Sequence, residues 1–303
     1  MALTDAVSQY VAMRMHADEI DTDADLVRRL LAAQFPQWAD LPVERVESAG
    51  TDNAMYRLGS DLAVRLPRRP LNVGYLRREQ RWPSILAPQL PVSVPIAVGL
   101  GEPGEGFPQP WTVVSWISGR NPVVGELTDP SGLALDLAEF IQALRKIDPD
   151  GGPPQNRGVP LGSVDRDSAT REAIAQLHDD IDTDRARAYW ERAIALPEPG
   201  GVFWSHGDLS PGNVLVADGR LTAVIDFGGV GVGDPTVDLI VAWNLLPASA
   251  REAFRTALDV DDSTWERGRA WAMSIALIQL PYYRDTNPVL AANSRHVLGE
   301  VLG

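Results

Sequence analysis

A short segment of the sequence carries polar residues whose types and spacing suit phosphoryl transfer. Asp208 is followed five residues later by Asn213, and Asp226 comes 13 residues after that. Each lies where a short strand is predicted to begin or end, so the three side chains can converge on one point. Carboxylate and amide oxygens are ligands that suit Mg²⁺ bridging phosphates. In this reaction a protein mainly orients a hydroxyl, accepts its proton and stabilises charge.

The same segment resembles the signature of a known group of kinases. His-Gly-Asp-Leu over 206–209, Asn213 and Asp-Phe-Gly over 226–228 are similar to the kinase pattern of catalytic loop and metal-binding triplet. Gly207 stands where protein kinases carry Arg, and no Ala-Pro-Glu is evident downstream, which disfavours a protein kinase. With Asp-Pro at 234–235 and Asp238, the chain resembles the aminoglycoside and macrolide phosphotransferases, from about residue 40 onward.

That resemblance implies a fold and a set of roles. The expected fold is α+β, a bilobal protein-kinase-like fold with a small antiparallel β-sheet lobe over 1–117 and a mainly helical lobe over 118–303. Asp208 would be the catalytic base, and Asn213 and Asp226 would hold Mg²⁺, with ATP or GTP as phosphate donor. His206 would support the loop, while Asp234 and Asp238 would tie down the following helix.

Two features of the first lobe are expected to position the nucleotide phosphates. Arg65 lies in the predicted strand Asp61 to Leu66, where kinases usually carry Lys, and the macrolide phosphotransferases also carry Arg there. Arg is always charged and binds phosphate as a fork, so the role can survive the change. Glu79, on the next predicted helix, would be the ion-pair partner of Arg65; the alternative is a solvated helix charge.

A turn and a strand end complete the expected nucleotide site. Gly50, Thr51, Asp52 and Asn53 lie between two predicted strands, where kinases place a loop over the phosphates, although a single Gly also fits an ordinary hairpin turn. Backbone groups of Ser115 and Ile117 would contact the base. Gly-x-Gly-x-Gly over 229–233 does not match a dinucleotide loop, and we interpret it as a flexible segment.

Hydrophobic periodicity and turn residues predict the elements that must position these groups. Helices are predicted over 23–35, 72–90 with a kink near Pro83, 130–146, a pair within 167–195, and most of 234–301. Strands are predicted over 42–49, 54–58, 61–66, 94–98, 111–116, 202–205, 214–217 and 222–225.

Amino-acid composition limits the classes of binding partner that we expect. The 303 residues include 27 Lys and Arg against 41 Asp and Glu, a formal net charge of −14, which should repel nucleic acid and anionic membranes. The absence of Cys excludes disulfides, thiolate nucleophiles and Cys-based zinc sites. No membrane span or signal peptide is evident. We therefore expect a cytoplasmic protein, a monomer or weak dimer, whose partners are a nucleotide and a small-molecule acceptor.

The sequence leaves the acceptor open. Four Asp within 178–184 could bind an amine-rich sugar or form a solvated turn between helices. Trp243, Trp271, Tyr282 and Tyr283 could line an apolar acceptor wall or belong to the core. An aminoglycoside- or macrolide-type antibiotic is the leading expectation. A small-metabolite kinase of the choline or homoserine type and a non-catalytic, nucleotide-binding pseudokinase are the alternatives.

Overall fold

Within the described residues, the N-terminal part of the chain forms a five-stranded antiparallel sheet with two helices. The structure is a computed structural model that describes residues 18–47, 50–70, 73–155, 157 and 160–303. The strands follow the order β1-β2-β3-β5-β4 across the sheet. The elements are α1 (Ala24–Gln34), β1 (Val43–Val46), β2 (Asn53–Leu58), β3 (Leu62–Pro67), α2 (Val73–Leu86), β4 (Ala97–Gly101) and β5 (Trp111–Ser115).

Helix α1 closes the core of this sheet. Asp23 caps the helix by accepting a hydrogen bond of 2.7 Å from the Leu26 N–H, which satisfies one of the free donors of the first turn. The apolar stripe of α1 then packs against alternate side chains of the sheet, as the periods of helix and strand require. The buried members of this core are Leu26, Val27, Leu30, Leu31, Val43, Ala54, Tyr56, Leu58, Val64, Leu66, Phe107, Trp111 and Val113.

Two predictions for this part need correction at their bounds. The strand expected over 94–98 is β4 at Ala97–Gly101, because Val94 is buried in the helical core and Ser93 pairs with Ala223 instead. Helix α2 continues through Pro83 to Leu86 and ends in a 3₁₀ turn, Ala87–Gln89. The predicted residues 48, 49 and 72 lie outside the described part of the chain.

The C-terminal part is mainly helical, with two small two-stranded sheets. Helix α3 buries the predicted face at Leu133, Leu137, Phe140, Ile141 and Leu144. The elements are α3 (Pro130–Lys146), α4 (Val164–Gln176), α5 (Thr183–Ile194), β6 (Phe203–Ser205), β7 (Val214–Ala217), β8 (Arg220–Val224), β9 (Gly231–Gly233), α6 (Val241–Asn244), α7 (Ala248–Leu258), α8 (Asp262–Tyr283) and α9 (Pro288–Leu302).

The glycine-rich stretch predicted to be flexible is an ordered strand. Gly231–Gly233 forms β9, which pairs with β6 in antiparallel register. A Cβ at Gly231 would lie 2.7 Å from the Pro153 carbonyl oxygen, so glycine is needed there for close approach of two backbones. The α+β class is therefore confirmed, with an antiparallel sheet and a helical part that each have a core. None of the described helices is long and apolar enough to cross a membrane.

Candidate active site

The loop after β6 is held by a buried carboxylate. The backbone N–H groups of His206 and Gly207 donate to the two carboxylate oxygens of Asp238, at 2.8 and 2.7 Å. Gly207 has φ of +83°, and a Cβ there would lie 1.7 Å from Nε2 of Gln155. Gly207 thus meets both a conformational and a steric demand for glycine. The sequence had suggested that Asp238 ties down the following helix, whereas in the structure it fixes this loop. Burial raises the pKa of Asp238.

His206 supports the loop from below. It is fully buried, and its Nδ1 accepts a hydrogen bond of 3.3 Å from the Asp208 N–H. The hydrogen therefore belongs on Nε2, which donates to the Ile225 carbonyl oxygen at 3.0 Å. Both ring nitrogens are engaged within the protein, so His206 has no open atom for acid–base chemistry with a ligand.

Asp208 and Asn213 are joined directly. The Asn213 amide nitrogen donates to the backbone oxygen of Asp208 at 2.9 Å and to its Oδ2 at 3.0 Å. The amide oxygen, which is the metal-ligating atom of Asn, is thereby turned away from Asp208. Because β7 and β8 form a hairpin, the Ile225 N–H donates to the Asn213 carbonyl at 2.9 Å. That bond brings Asp226 next to Asn213.

Asp226 leaves β8 in a left-handed conformation, with φ of 67° and ψ of 67°. Its Oδ1 accepts a hydrogen bond of 2.5 Å from the Tyr75 hydroxyl and lies 3.9 Å from an Arg65 guanidinium nitrogen. The Tyr75 ring packs onto Gly228, where a Cβ would come within 2.0 Å of Cε1. Glycine at this position therefore lets α2 approach the Asp-Phe-Gly segment, 226–228.

Arg65 and Glu79 form a buried ion pair between β3 and α2. Only 8% of Arg65 and 6% of Glu79 is exposed. Burial opposes the charge on Arg65, but Glu79 and then Asp226 outweigh it and raise the pKa of Arg65. Burial also raises the pKa of Glu79, to about 7, against the opposing effect of Arg65. The pairing expected from the sequence is thus present, with Arg65 directed toward Asp226.

The turn before β2, residues 50–53, lies near the cluster formed by Arg65, Glu79 and Asp226. Asn53 begins β2 and pairs with Pro67 of β3. The Asp52 carbonyl oxygen accepts a hydrogen bond of 2.8 Å from the Arg68 N–H. The charge of Asp52 raises the pKa of Tyr75, after burial, Asp226 and Glu79. Thr51, which follows Gly50, makes a side-chain hydrogen bond to Tyr283 at the end of α8. The turn therefore bridges the sheet and the helical part beside Asp226.

Ser115 is the last residue of β5, and Ile117 follows two positions later. The Ser115 N–H donates a hydrogen bond of 2.9 Å to the Ile96 carbonyl oxygen. The Oγ of Ser115 accepts a hydrogen bond of 2.9 Å from the Ile96 N–H. Among the described residues, no backbone hydrogen bond involves Ile117. Ile117 thus keeps both backbone groups open for a ligand, whereas the Ser115 N–H is occupied.

The residues present fit a magnesium ion that is held jointly by protein and phosphate. Asn213 and Asp226 offer oxygen ligands side by side, and no cluster of three His, Asp or Glu side chains suited to a metal occurs in the described ranges. Mg²⁺ commonly takes one or two carboxylates plus substrate phosphates and water rather than an all-protein cage. The donor set is therefore of the kind expected for a metal–nucleotide complex.

Two contacts escaped the sequence analysis. Tyr75 donates to Asp226, and Arg157 forms an ion pair with Asp208 while donating to the Gly207 carbonyl at 3.2 Å. Neither Tyr75 nor Arg157 belongs to a recognisable motif. The one signal in the sequence was that both are polar residues to which no role had been assigned.

The acceptor-wall candidates separate into two groups. Trp243 and Trp271 belong to the helical core, being 3% and 0% exposed, so the core interpretation is correct for them. Tyr282 is 55% exposed and stacks edge-on with Tyr283, at 4.7 Å between ring centroids.

The acidic segment 178–184 forms the turn between α4 and α5. Asp182 caps α5 by accepting from the Arg185 N–H at 2.9 Å. Asp180 pairs with Arg284 at 2.6 Å. The solvated-turn interpretation therefore fits better than an open amine site.

A cavity of about 390 Å³ lies elsewhere, between α5, α8 and α9. Arg192, Glu266 and Arg269 are among its lining residues, and none of the residues from the motif segment contributes. It is therefore separate from the cluster around Asp208.

Comparisons with known proteins agree with this arrangement. Residues 43–271 match the phosphotransferase enzyme family. Aminoglycoside 3'-phosphotransferase of Streptomyces fradiae is 31% identical over 136 residues, which cover 43% of this chain and 46% of that protein. One of Escherichia coli is 34% identical over 118 residues, which cover 36% of this chain and 42% of that protein. The chain thus spans about half the length of the curated relatives it matches.

Solved structures share the fold over nearly the whole chain. The GDP complex of wild-type aminoglycoside 2'-phosphotransferase-IIIa superposes with a TM-score of 0.74 at 19% identity, covering 92% of this chain and 98% of that one. A macrolide 2'-phosphotransferase from Brachybacterium faecium gives a TM-score of 0.64 at 23% identity, covering 91% and 97%. These likenesses confirm the expected kinase-like fold. The family match, over most of the chain, shows that this protein belongs to the phosphotransferase enzyme family.

Proposed function

We propose that the protein transfers the γ-phosphate of ATP or GTP to a hydroxyl group of a small molecule. The observation that carries this proposal is that Asn213 hydrogen-bonds to Asp208 and, through the Ile225 backbone, lies next to Asp226, beside the buried Arg65–Glu79 pair. Aminoglycosides and macrolides, after which similar proteins are named, are the first acceptors to test.

Each side chain in this proposal has one task. Asp208 accepts the proton of the acceptor hydroxyl, and its hydrogen bond from Asn213 fixes the orientation of the carboxylate. Arg65, held by Glu79, binds phosphate oxygens through its planar fork. Mg²⁺, bound by Asn213 and Asp226 together with the nucleotide, would supply stabilisation of charge on the phosphate oxygens.

The rest of the predicted nucleotide site keeps its place in the proposal. Gly50, Thr51, Asp52 and Asn53 would cover the phosphates, because the turn lies beside the Arg65–Glu79–Asp226 cluster. The open backbone groups of Ile117, with the carbonyl of Ser115, would contact the purine. The lobe boundary at 117/118 and a monomeric or weakly dimeric state remain predictions.

A charge-matched pair of variants tests the proposal. Asp208→Asn removes the base while keeping the shape of the side chain, and we expect transfer to fall about 10²–10⁴-fold. Asp218→Asn makes the same charge change at an exposed turn residue with φ of 51°, a conformation that Asn tolerates, and should leave transfer unchanged.

The measurement is formation of phosphorylated acceptor from ATP or GTP with Mg²⁺, across a panel of aminoglycosides, macrolides, amino alcohols and hydroxy acids. Equal rates for the two variants would refute the role of Asp208. Metal-dependent nucleotide binding without transfer to any acceptor would instead identify a non-catalytic nucleotide-binding protein.

A further inference from the structure

An arginine outside the motif is held beside the loop that follows β6. Arg157 lies in the connection between α3 and α4, just after a segment that pairs with β9. In that pairing the Val232 N–H donates to the Pro153 carbonyl oxygen at 2.7 Å, and the Gln155 N–H donates to the Val232 carbonyl oxygen at 2.9 Å. Because β9 also pairs with β6, this strand positions both Arg157 and the loop.

Arg157 is bound to that loop at two points. Its guanidinium pairs with Oδ1 of Asp208 and donates to the Gly207 carbonyl oxygen at 3.2 Å. The Asn213 amide occupies the other carboxylate oxygen, Oδ2, at 3.0 Å. The carboxylate is therefore held at both oxygens, and each oxygen keeps a second lone pair that an incoming hydroxyl can use.

The charges around this contact favour the ion pair. Asp208 raises the pKa of Arg157 against the opposing effect of burial, and Tyr75 and Asp226 add smaller contributions in the same direction. Within the described residues, Arg157 is the one cation that forms an ion pair with Asp208. A hydrogen bond that involves charged groups is roughly twice as strong as one between neutral groups. Arg157 is thus suited to hold the Asp208 carboxylate in one orientation.

Orientation of this carboxylate matters because it faces open space. The side chains of Arg157 and Asp208 are 33% and 34% exposed. The torsion that turns an Asp carboxylate is broad, so a carboxylate this open rotates unless its oxygens are held. A base must lie about 2.6–3.2 Å from the hydroxyl that it serves. A misplacement of about 1 Å can lower a rate about 10²-fold.

We propose that Arg157 is a positioning residue for the base of the proposed reaction: it holds Oδ1 of Asp208 while Asn213 holds Oδ2, so that the carboxylate is aimed at the acceptor hydroxyl. This inference rests on the proposed function and adds one residue to it. Arg157 acts through Asp208 and does not bind the nucleotide. Its loss should therefore slow the chemical step and leave nucleotide binding unchanged.

A matched pair of arginine variants tests this role. Arg157→Gln should slow single-turnover transfer of labelled γ-phosphate about 10- to 100-fold without changing the Kd of the Mg²⁺–nucleotide complex. The acceptor is the aminoglycoside, macrolide, amino alcohol or hydroxy acid that the wild-type protein phosphorylates fastest. Arg255→Gln is the control, because Arg255 on α7 is 31% exposed and also pairs with an aspartate, Asp262. It should change neither quantity.

A double-variant cycle separates positioning from an independent role. If Arg157 acts through Asp208, adding Arg157→Gln to Asp208→Asn should slow transfer by no more than about twofold further. A further fall as large as the one that Arg157→Gln causes alone would show that Arg157 acts independently, which would overturn the inference. A single variant as fast as the wild type, or one whose loss is explained by weaker nucleotide binding, would overturn it too.

Conservative variants cover the remaining outcomes. Arg157→Lys should recover most of the rate, because an ammonium can still donate to Oδ1 of Asp208. A Lys variant as slow as the Gln variant would contradict the inference. If Arg157→Gln does not fold, Arg157→Met keeps the aliphatic length of the side chain and carries the same predictions. Wild-type transfer in Asp208→Asn, or no transfer to any acceptor, would instead refute the proposed function itself.

Discussion

Single hydrogen bonds between distant residues set the geometry of the candidate metal site. The Tyr75 hydroxyl reaches Asp226 across 151 positions of sequence and fixes one carboxylate oxygen. Burial, and then the charge of Asp226, raises the pKa of Tyr75, so the hydroxyl stays a donor at neutral pH. Groups that hydrogen-bond to metal ligands often tune affinity as strongly as the ligands themselves. Tyr75 is therefore expected to orient Asp226 for metal–nucleotide binding.

Removal of that hydroxyl tests this expectation. Tyr75→Phe keeps the ring that packs on Gly228, and we expect the Mg²⁺ concentration for half-maximal turnover to rise about 10-fold. Tyr189→Phe is the control, because it loses a 3.0 Å hydrogen bond to Glu266, outside the candidate site. An unchanged or lower Mg²⁺ requirement in Tyr75→Phe would show that the hydroxyl does not help Asp226 to bind metal.

At the scale of elements, helix α2 links the sheet to the Asp-Phe-Gly segment, 226–228. Tyr75 and Glu79 lie four residues apart, hence on one face of the helix, and contact Asp226 and Arg65 respectively. Arg65 is itself 3.9 Å from Asp226. Because α2 contacts Asp226 through Tyr75 and Arg65 through Glu79, a shift of α2 would disturb Arg65 and Asp226 together.

Glu79→Gln keeps the volume of the side chain but should weaken the contact between α2 and Arg65. Arg65 would remain buried and charged with only Asp226 as a more distant partner, and removing one member of a buried pair costs about 3 kcal/mol or more. We expect lower free energy of unfolding in urea and a higher KM for nucleotide. Glu139→Gln, on the exposed face of α3, should alter neither property. Wild-type stability together with a wild-type KM in Glu79→Gln would exclude the linking role of α2.

Sequence reasoning succeeded where the information is local. Asp208, Asn213 and Asp226 belong to one contiguous segment, and the β7–β8 hairpin that joins them is formed by near neighbours. It failed where tertiary contacts decide. The Arg157 contact with Asp208 spans 51 positions, and the start of β4 shifts because Val94 is drawn into the helical core. Order in the glycine-rich strand β9 likewise depends on its close approach to Pro153.

For the whole molecule, net charge is a poor guide to the local field of a site. The chain carries a formal charge of −14, which by itself would attract a cationic acceptor. Yet Asp208 is paired with the Arg157 guanidinium, and Asp180 and Asp182 of the acidic turn are engaged within the protein. We expect the groups nearest Asp208 to influence acceptor binding more than the net charge does, because surface charges are screened by salt within about 10 Å at ordinary ionic strength.

The central claim, that Asp208 serves phosphoryl transfer at a metal–nucleotide site, is tested most directly by single-turnover transfer. Protein in excess over γ-labelled nucleotide, with Mg²⁺ and acceptor, isolates the chemical step from product release. The account predicts that Asp208→Asn still binds the metal–nucleotide complex but moves label to the acceptor about 10²–10⁴-fold more slowly than Asp218→Asn. Transfer at the same rate in both variants, or label released only as inorganic phosphate by the wild-type protein, would contradict it.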